Sequence, residues 1–436
     1  MTRRDRVLQF PTQTAERLEV CCRAALAREE RGEYEEACEL LAGHWQGPGG
    51  RPEVHGLDDR AAGELLTRAG SLTAWLGSKK QIEGWQEKAK DLLSEAAARF
   101  ESARDLTGWG WTQKGLALCY WREGSLSEAR AIVAGAIERL GRHDDEIWIA
   151  LQLCLAIVEV NEGRNLQALE LFKTMWPVVE RRASDLARGH YHNGLANARE
   201  NLGDVDAAII ESTATAYHFE QANYQRGQIL ALNSLANLCR KAKDFSAAHV
   251  HLDRAERLTR ELSDDLHLAH LKDSRALLYL AEGKAGEAEP AARRSVEIFE
   301  RGDEHALLVR SLVTHARTLI ALKDSGALGT YLRAYELAAE HIGSRRAGEI
   351  ALETIGELAG QICLESHVTL DDARHIFEGS IIRRALDEAG GNITAAGLRL
   401  GESQQAMSFI LRTRHQDLQP PSKRRPRHRS IVVERK

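Results

Sequence analysis

The chain has 436 residues and a mass of 48.5 kDa, room for several ordinary domains or for one repeat array, which escapes the size ceiling on a single core. Its 43% hydrophobic, 28% charged and 6% aromatic content describes a soluble, core-forming chain of helix formers, and no apolar run approaches the roughly 20 residues that span a bilayer. The net charge of -5 argues, taken over the whole chain, against nucleic acid as a partner.

Residues 1–14 read as an N-terminal extension with a basic start and no long apolar segment after it, hence no secretory signal. From there a turn of one pattern recurs. It opens on Gly or Lys and carries a small or apolar residue five positions later. Gly124 with Ala129, Gly163 with Ala168, Gly203 with Ala208, Lys243 with Ala248, Gly283 with Ala288 and a degraded Lys323 with Leu328 are 39 or 40 residues apart. Gly84 with Ala89 extends the register backwards, and Gly32-Glu-Tyr34 with Ala37 adds one more unit across a 52-residue step containing Gly47-Pro48-Gly49-Gly50-Arg51-Pro52. The pattern before residue 115 is irregular.

Each marker is flanked by apolar residues at helical spacing. Around Gly203 these are Tyr191, Leu195, Ala198 and Leu202 before it and Ala207, Ile210, Ala214 and Tyr217 after it. One period is therefore a helix A, a tight turn and a helix B. The Gly ends helix A because it adopts the left-handed conformation without a Cβ clash, and the Ala lets helix B approach closely. Residues 15–365 resemble the tetratricopeptide family in its variant of about 40 residues, found in kinesin light chains and bacterial peptide-sensing regulators. The resemblance implies an all-α, right-handed superhelix of hairpins whose A helices line a concave groove for a peptide or protein. In that groove the chain repeats an Asn pair one period apart, Asn193 and Asn197, then Asn233 and Asn237, and a carboxamide both donates to and accepts from a peptide backbone. His190, Tyr191, Gln228 and Lys272 are expected near the same groove.

After His367 the register stops. Thr369 caps a helix with Asp371 and Asp372 in its first turn, running through Ile376, Phe377, Ile381, Ile382, Ala385, Leu386 and Ala389 to Gly390-Gly391. Asn392 or Thr394 caps a short helix, Gly401 turns the chain, and Ser403 caps a last helix through Met407 and Leu411 to about Arg414. Residues 366–416 resemble the Fis-type helix-turn-helix domain through Gly390-Gly391-Asn392-Ile393-Thr394, Ala396, Gly397, Leu400-Gly401, Ser403, Met407 and Leu411. The resemblance implies a homodimer through 370–389 that reads double-stranded DNA. The residues expected at DNA are Asn392, Thr394, Ser403, Gln404, Gln405, Ser408, Phe409, Arg412 and Arg414: Gln is bidentate to adenine, Arg412 meets phosphate or guanine, and Phe409 meets a thymine methyl or packs. The chain departs from that family at Glu402, where an apolar residue is usual. A buried unpaired charge is costly, so Glu402 is expected to face solvent or meet Arg399.

The tail 417–436, taken as flexible, supplies Lys423, Arg424, Arg425, Arg427 and Arg429 as a basic arm beside the last helix. Residues 366–436 hold 13 Lys and Arg against 8 Asp and Glu, a balance of +5 that leaves -10 for residues 1–365. The whole-chain charge thus limits only where DNA can bind.

Seven scattered cysteines without a C-x-x-C pair fit a reducing compartment, and neither His249 with His251 nor His267 with His270 has metal-ligand spacing. No catalytic motif, cofactor, metal or membrane span is expected. The sequence reads as a cytoplasmic transcriptional regulator, with a protein-binding scaffold whose C-terminal domain only dimerises as the alternative.

Overall fold

The computed structural model describes residues 9–77, 82–141, 145–262, 264–302, 304–341, 347–353, 356–357 and 369–419. The basic arm Lys423, Arg424, Arg425, Arg427 and Arg429 lies outside them, as does the 358–368 stretch in which the sequence places the end of the array. Every regular element among the described residues is a helix. The chain divides into two compact units, Met1–Ala347 and Gly348–Lys436.

The first unit is a run of hairpins. In chain order the A helices are α1 (Gln9–Glu29), α3 (Asp59–Leu76), α5 (Leu106–Arg122), α7 (Glu146–Asn161), α9 (Asp185–Asn201), α11 (Gln225–Lys241), α13 (Asp265–Ala281) and α15 (His305–Ala321). Their B partners are α2 (Tyr34–Leu40), α4 (Trp85–Ser102), α6 (Leu126–Leu140), α8 (Asn165–Arg182), α10 (Val205–Gln221), α12 (Phe245–Leu262), α14 (Ala285–Phe299) and α16 (Ala327–His341). Each B helix packs on its own A helix and, from α2 to α14, on the next A helix as well. The N-terminal irregularity includes α2, only 7 residues long, and the Gly/Pro segment after it, which Trp45 fastens by donating Nε1–H to the Gly50 carbonyl at 2.9 Å.

The turn markers behave as their residue types require. Gly32, Gly84, Gly124, Gly163, Gly203 and Gly283 all have φ between 63° and 83°, and the two Lys in the series, Lys243 and Lys323, are held at 63° and 57°. The small residue that follows is fully buried in seven successive hairpins, Ala37, Ala89, Ala129, Ala168, Ala208, Ala248 and Ala288. The last hairpin departs: Leu328 is 49% exposed and Ala327 takes the buried place. Around Gly203 the expected apolar face is also corrected. Leu202, Ile210 and Tyr217 are exposed, and α10 buries Ala208, Ser212, Thr215, Ala216 and Phe219 instead. Each B helix is wedged between two A helices, so its buried face is set by that wedge rather than by its most apolar stripe.

The second unit holds α17 (Leu370–Glu388), α18 (Ile393–Arg399) and α19 (Gln404–Thr413), followed by a 3-10 turn at Gln416–Leu418. Ile382, Ala385, Leu386, Ala396, Met407 and Leu411 form its core.

Candidate functional site

On the inner side of the array, successive A helices pack on one another: α1 on α3, α3 on α5, α5 on α7, α7 on α9, α11 on α13 and α13 on α15. On α5, Lys114 lies within electrostatic reach of Glu29 at the end of α1, Glu30 just after it, Arg68 of α3, Cys154 of α7 and His190 of α9. The Lys114 ammonium sits 5.0 Å from the centre of the Trp111 ring and makes no hydrogen bond or ion pair among the described residues. Burial lowers its pKa. Burial, with Lys114 second, holds His190 at about 4, so the ring is neutral at pH 7.

A seam closes this interior. Arg226, at the start of α11, donates from Nη1 to the carbonyl of Gly32 in the α1–α2 turn, 194 residues away in sequence, and pairs through Nε with Asp264 at 3.3 Å. Its guanidinium lies 5.9 Å from the Tyr34 ring, Tyr34 stacks on Trp75 at 5.2 Å, and Arg122 covers Trp75 at 4.9 Å and Trp85 at 5.3 Å. A cation, two stacked rings and a second cation thus join the first hairpins to the sixth A helix. Tyr224 completes the seam: a Cβ at Gly32 would lie 3.0 Å from its ring.

The Asn rows fall on this face but are not equivalent. Asn193 is half-buried and Asn197 exposed, and neither side chain is hydrogen-bonded among the described residues. The Asn233 Oδ1 is buried without a partner, an acceptor left open. Asn237 is already engaged, its Nδ2 donating to the Asn233 carbonyl at 3.1 Å and to Ser274 Oγ at 3.2 Å, so it ties α11 to α13. One period beyond Asn233 stands Asp273, 2% exposed, paired with Arg310 at 3.3 Å, with its other oxygen unpartnered. Its position is legible in the 193, 233, 273 register that the sequence reading stopped short of.

Three expected groove residues are elsewhere. Tyr191 is in the core, its hydroxyl donating to the Phe172 carbonyl at 3.0 Å; Gln228 is 4% exposed; and Lys272 turns outward to Glu256 of α12 at 3.1 Å. Each is one residue off the inward stripe of its helix, a rotation of about 100°.

In the second unit, Asn392 caps α18, its Oδ1 accepting from the Thr394 and Ala395 amides at 3.0 and 3.2 Å, and Ser403 caps α19 by accepting from the Ala406 amide at 3.1 Å. Their side-chain acceptors are therefore occupied locally. Thr394, Gln404, Gln405, Phe409 and Arg412 are exposed and Ser408 is half-buried. Arg412 rests its Nε on the Ser408 carbonyl at 3.2 Å. Arg414, expected at DNA, is instead bound to the Glu378 carboxylate at 3.0 and 3.4 Å, fastening the end of α19 to α17. Glu402 faces solvent, and Arg399 pairs with Glu388 rather than with it. The turn is closed by backbone: the Glu402 amide donates to the Gly397 carbonyl at 2.8 Å, and a Cβ at Gly397 would lie 2.9 Å from the Glu402 oxygen and 3.0 Å from Met407 Cγ.

Burial pushes the Cys22 thiol to about 12 and those of Cys119 and Cys154 to about 11, which keeps them protonated and unreactive. Among the described residues no helix is long and apolar enough to cross a membrane.

No family model matches the chain, and no curated protein matches it in sequence. Solved structures do match the fold. A Rap protein complexed with Competence and Sporulation Factor aligns over 80% of this chain and 89% of its own, with 15% identity and a TM-score of 0.56. The apo quorum sensor NprR from B. thuringiensis aligns over 76% and 89%, with 14% identity and a TM-score of 0.55. Apo RapI aligns over 80% and 99%, with 11% identity and a TM-score of 0.51. The array is an all-α superhelix of the tetratricopeptide type.

Proposed function

We propose that this chain is a cytoplasmic transcriptional regulator of the bacterial type: the array takes a peptide or protein ligand on its inner face, and the Fis-like helix-turn-helix unit at the C-terminus binds duplex DNA as a homodimer through 370–389. The observation that carries the DNA half is the presentation of α19. Met407 and Leu411 anchor one face, and Gln404, Gln405, Phe409 and Arg412 are left on the other, open to solvent and free to enter a major groove. Leu370, Ile376, Phe377 and Ile381 leave an apolar stripe exposed on α17, which suits a second copy of the same helix. The ligand half is supported by the open Asn193, Asn197 and Asn233 carboxamides and by the likeness in fold to a Rap protein solved with Competence and Sporulation Factor. The chain acts as a binding protein without a cofactor. Ligand on the inner face changes the curvature of the array and shifts the fraction of molecules able to pair on an operator.

Selection of duplexes from a random DNA library by the full-length protein tests the DNA half. Sequence-selective duplexes are expected, and replacing Gln404, Gln405 and Arg412 by Ala together should lower selectivity by about tenfold or more, since one bidentate contact discriminates by about 1–3 kcal/mol. The alternative, a scaffold whose second unit only dimerises, is favoured by the engagement of Arg414 with Glu378, which removes a cation from the reading surface. Recovery of no selective duplex alongside a stable dimer establishes that alternative.

A further inference from the structure

Glu378, midway along α17, faces two donors at the end of α19 and serves only one of them. Its two oxygens accept from Arg414 Nη1 at 3.0 and 3.4 Å. Its Oε2 also lies 3.5 Å from Nε2 of His415, without a hydrogen bond between them. That imidazole is 1% exposed, stacked on His375 at 4.4 Å and seated on Gly379, where a Cβ would lie 3.1 Å from the ring. Its Nε2 is buried with no partner. Arg414 is the opposite case. Its side chain is 55% exposed, it stands two residues beyond Arg412 at the C-cap of α19, and Glu378 is its one ion-pair partner among the described residues. A buried donor left unpaired costs free energy, whereas an ion pair to a largely exposed arginine contributes little. A small rotation of the Glu378 carboxylate brings Oε2 into bonding range of His415. The imidazole, in its Nε2–H form, then donates in place of Arg414, so the carboxylate keeps a partner, the buried nitrogen gains one, and the guanidinium is free to meet an anion outside the protein.

We propose that Glu378 and His415 form a partner exchange that releases Arg414 to a backbone phosphate of bound DNA. Glu378 and His415 are positioning residues that do not touch the duplex, and Arg414 makes the contact. This rests on the reading of the second unit as a DNA-binding domain, and it makes the Arg414–Glu378 pair a reversible hold on the cation instead of its loss from the DNA surface.

The test titrates full-length protein against a duplex selected from the random library, over salt concentrations from about 50 to 200 mM. One phosphate contact contributes about 0.9 to the slope of log affinity against log salt, or about threefold in affinity over that range. Arg414→Ala, a change at an exposed site, should lower the slope by that amount. His415→Phe keeps a ring but has no donor, so Arg414 stays on Glu378 and the slope should fall equally, with no further fall when Arg414→Ala is added. Glu378→Gln in the His415→Phe background should restore the slope, because a neutral amide does not hold the cation. A misfolded chain would not be rescued in this way, and thermal melts of each variant identify one. An unchanged slope in Arg414→Ala overturns the proposal. A lowered slope in Arg414→Ala beside a wild-type slope in folded His415→Phe overturns the exchange and leaves the DNA reading standing. Recovery of no selective duplex overturns both.

Discussion

Replacing Arg226 by Ala removes a side chain that reaches across the seam to both the backbone and the ring of the first hairpin. The guanidinium supplies a hydrogen bond to the Gly32 carbonyl and a position over Tyr34. A hydrogen bond from a charged donor is worth about 1.5–3 kcal/mol, and the ring contact at this separation adds about 0.5 kcal/mol. Asp264, the third partner, keeps His267 at 3.0 Å and the cap of α13, so its loss of Arg226 is largely compensated. The seam should therefore weaken by about 2–3 kcal/mol, without a comparable loss within any one hairpin. Because the two sides are 194 residues apart, the weakening should show as local opening, read by hydrogen exchange under native conditions. Protection of residues 30–41 and 224–228 should fall by about 30- to 160-fold, and α13 to α16 should keep theirs. The Trp75 environment should change in step, since Tyr34 stacks on it. Tyr34→Ala and the double variant complete a cycle whose coupling should equal the ring contribution. Unchanged exchange at 30–41, or a fall spread evenly over the whole array, would refute the seam as an independent contact.

Four further outcomes follow from the same geometry. A Cβ at Gly203 meets nothing within 4 Å, so Gly203→Ala should destabilise the array through backbone strain alone, by about 1 kcal/mol, whereas Lys243→Gly, at a left-handed position, should raise the melting temperature by a similar relief. Calorimetric shifts of the same sign for both would sink that account. Burial, with Lys114 and Arg310 as second causes, holds His190 and His270 at about 4 in the fold against 6.5 in the unfolded chain, so the unfolded chain binds more protons between these values. Stability should be full above about pH 6.5 and decline towards pH 4, by about 2 kcal/mol for each ring after allowance for partial exposure, and urea midpoints that stay flat over that window for wild type but fall for a double Gln variant would contradict it. Gly397→Ala should unfold the second unit, with the melting of the array unchanged, because the new methyl would meet a backbone oxygen at 2.9 Å.

The repeat was legible in the sequence because its cause is local. A residue that must take φ near 70° and an Ala that must vanish between two helices recur every 40 residues, and both needs are met within one hairpin. The caps at Thr369, Asn392 and Ser403 were legible for the same reason, each being a bond across two or three residues. The Asn rows were found by register alone, and register also points to Asp273, but it does not say that Asn237 is consumed by Ser274 or that Asn233 keeps an open acceptor. That depends on how far α13 is rotated against α11. The exposure of Ile210 and Tyr217 likewise follows from the wedging of α10 between two A helices and not from its own pattern.

What the tertiary structure alone decided is the interior. Arg226 and Gly32 share no local signal, because they meet only after the small rotation between hairpins has accumulated over several repeats. Sequence period determines that such a curve exists. Its radius, set by the packing of A on A and B on A, determines which side chains end up facing one another, and so brings Arg226 to the carbonyl of a turn 194 residues away.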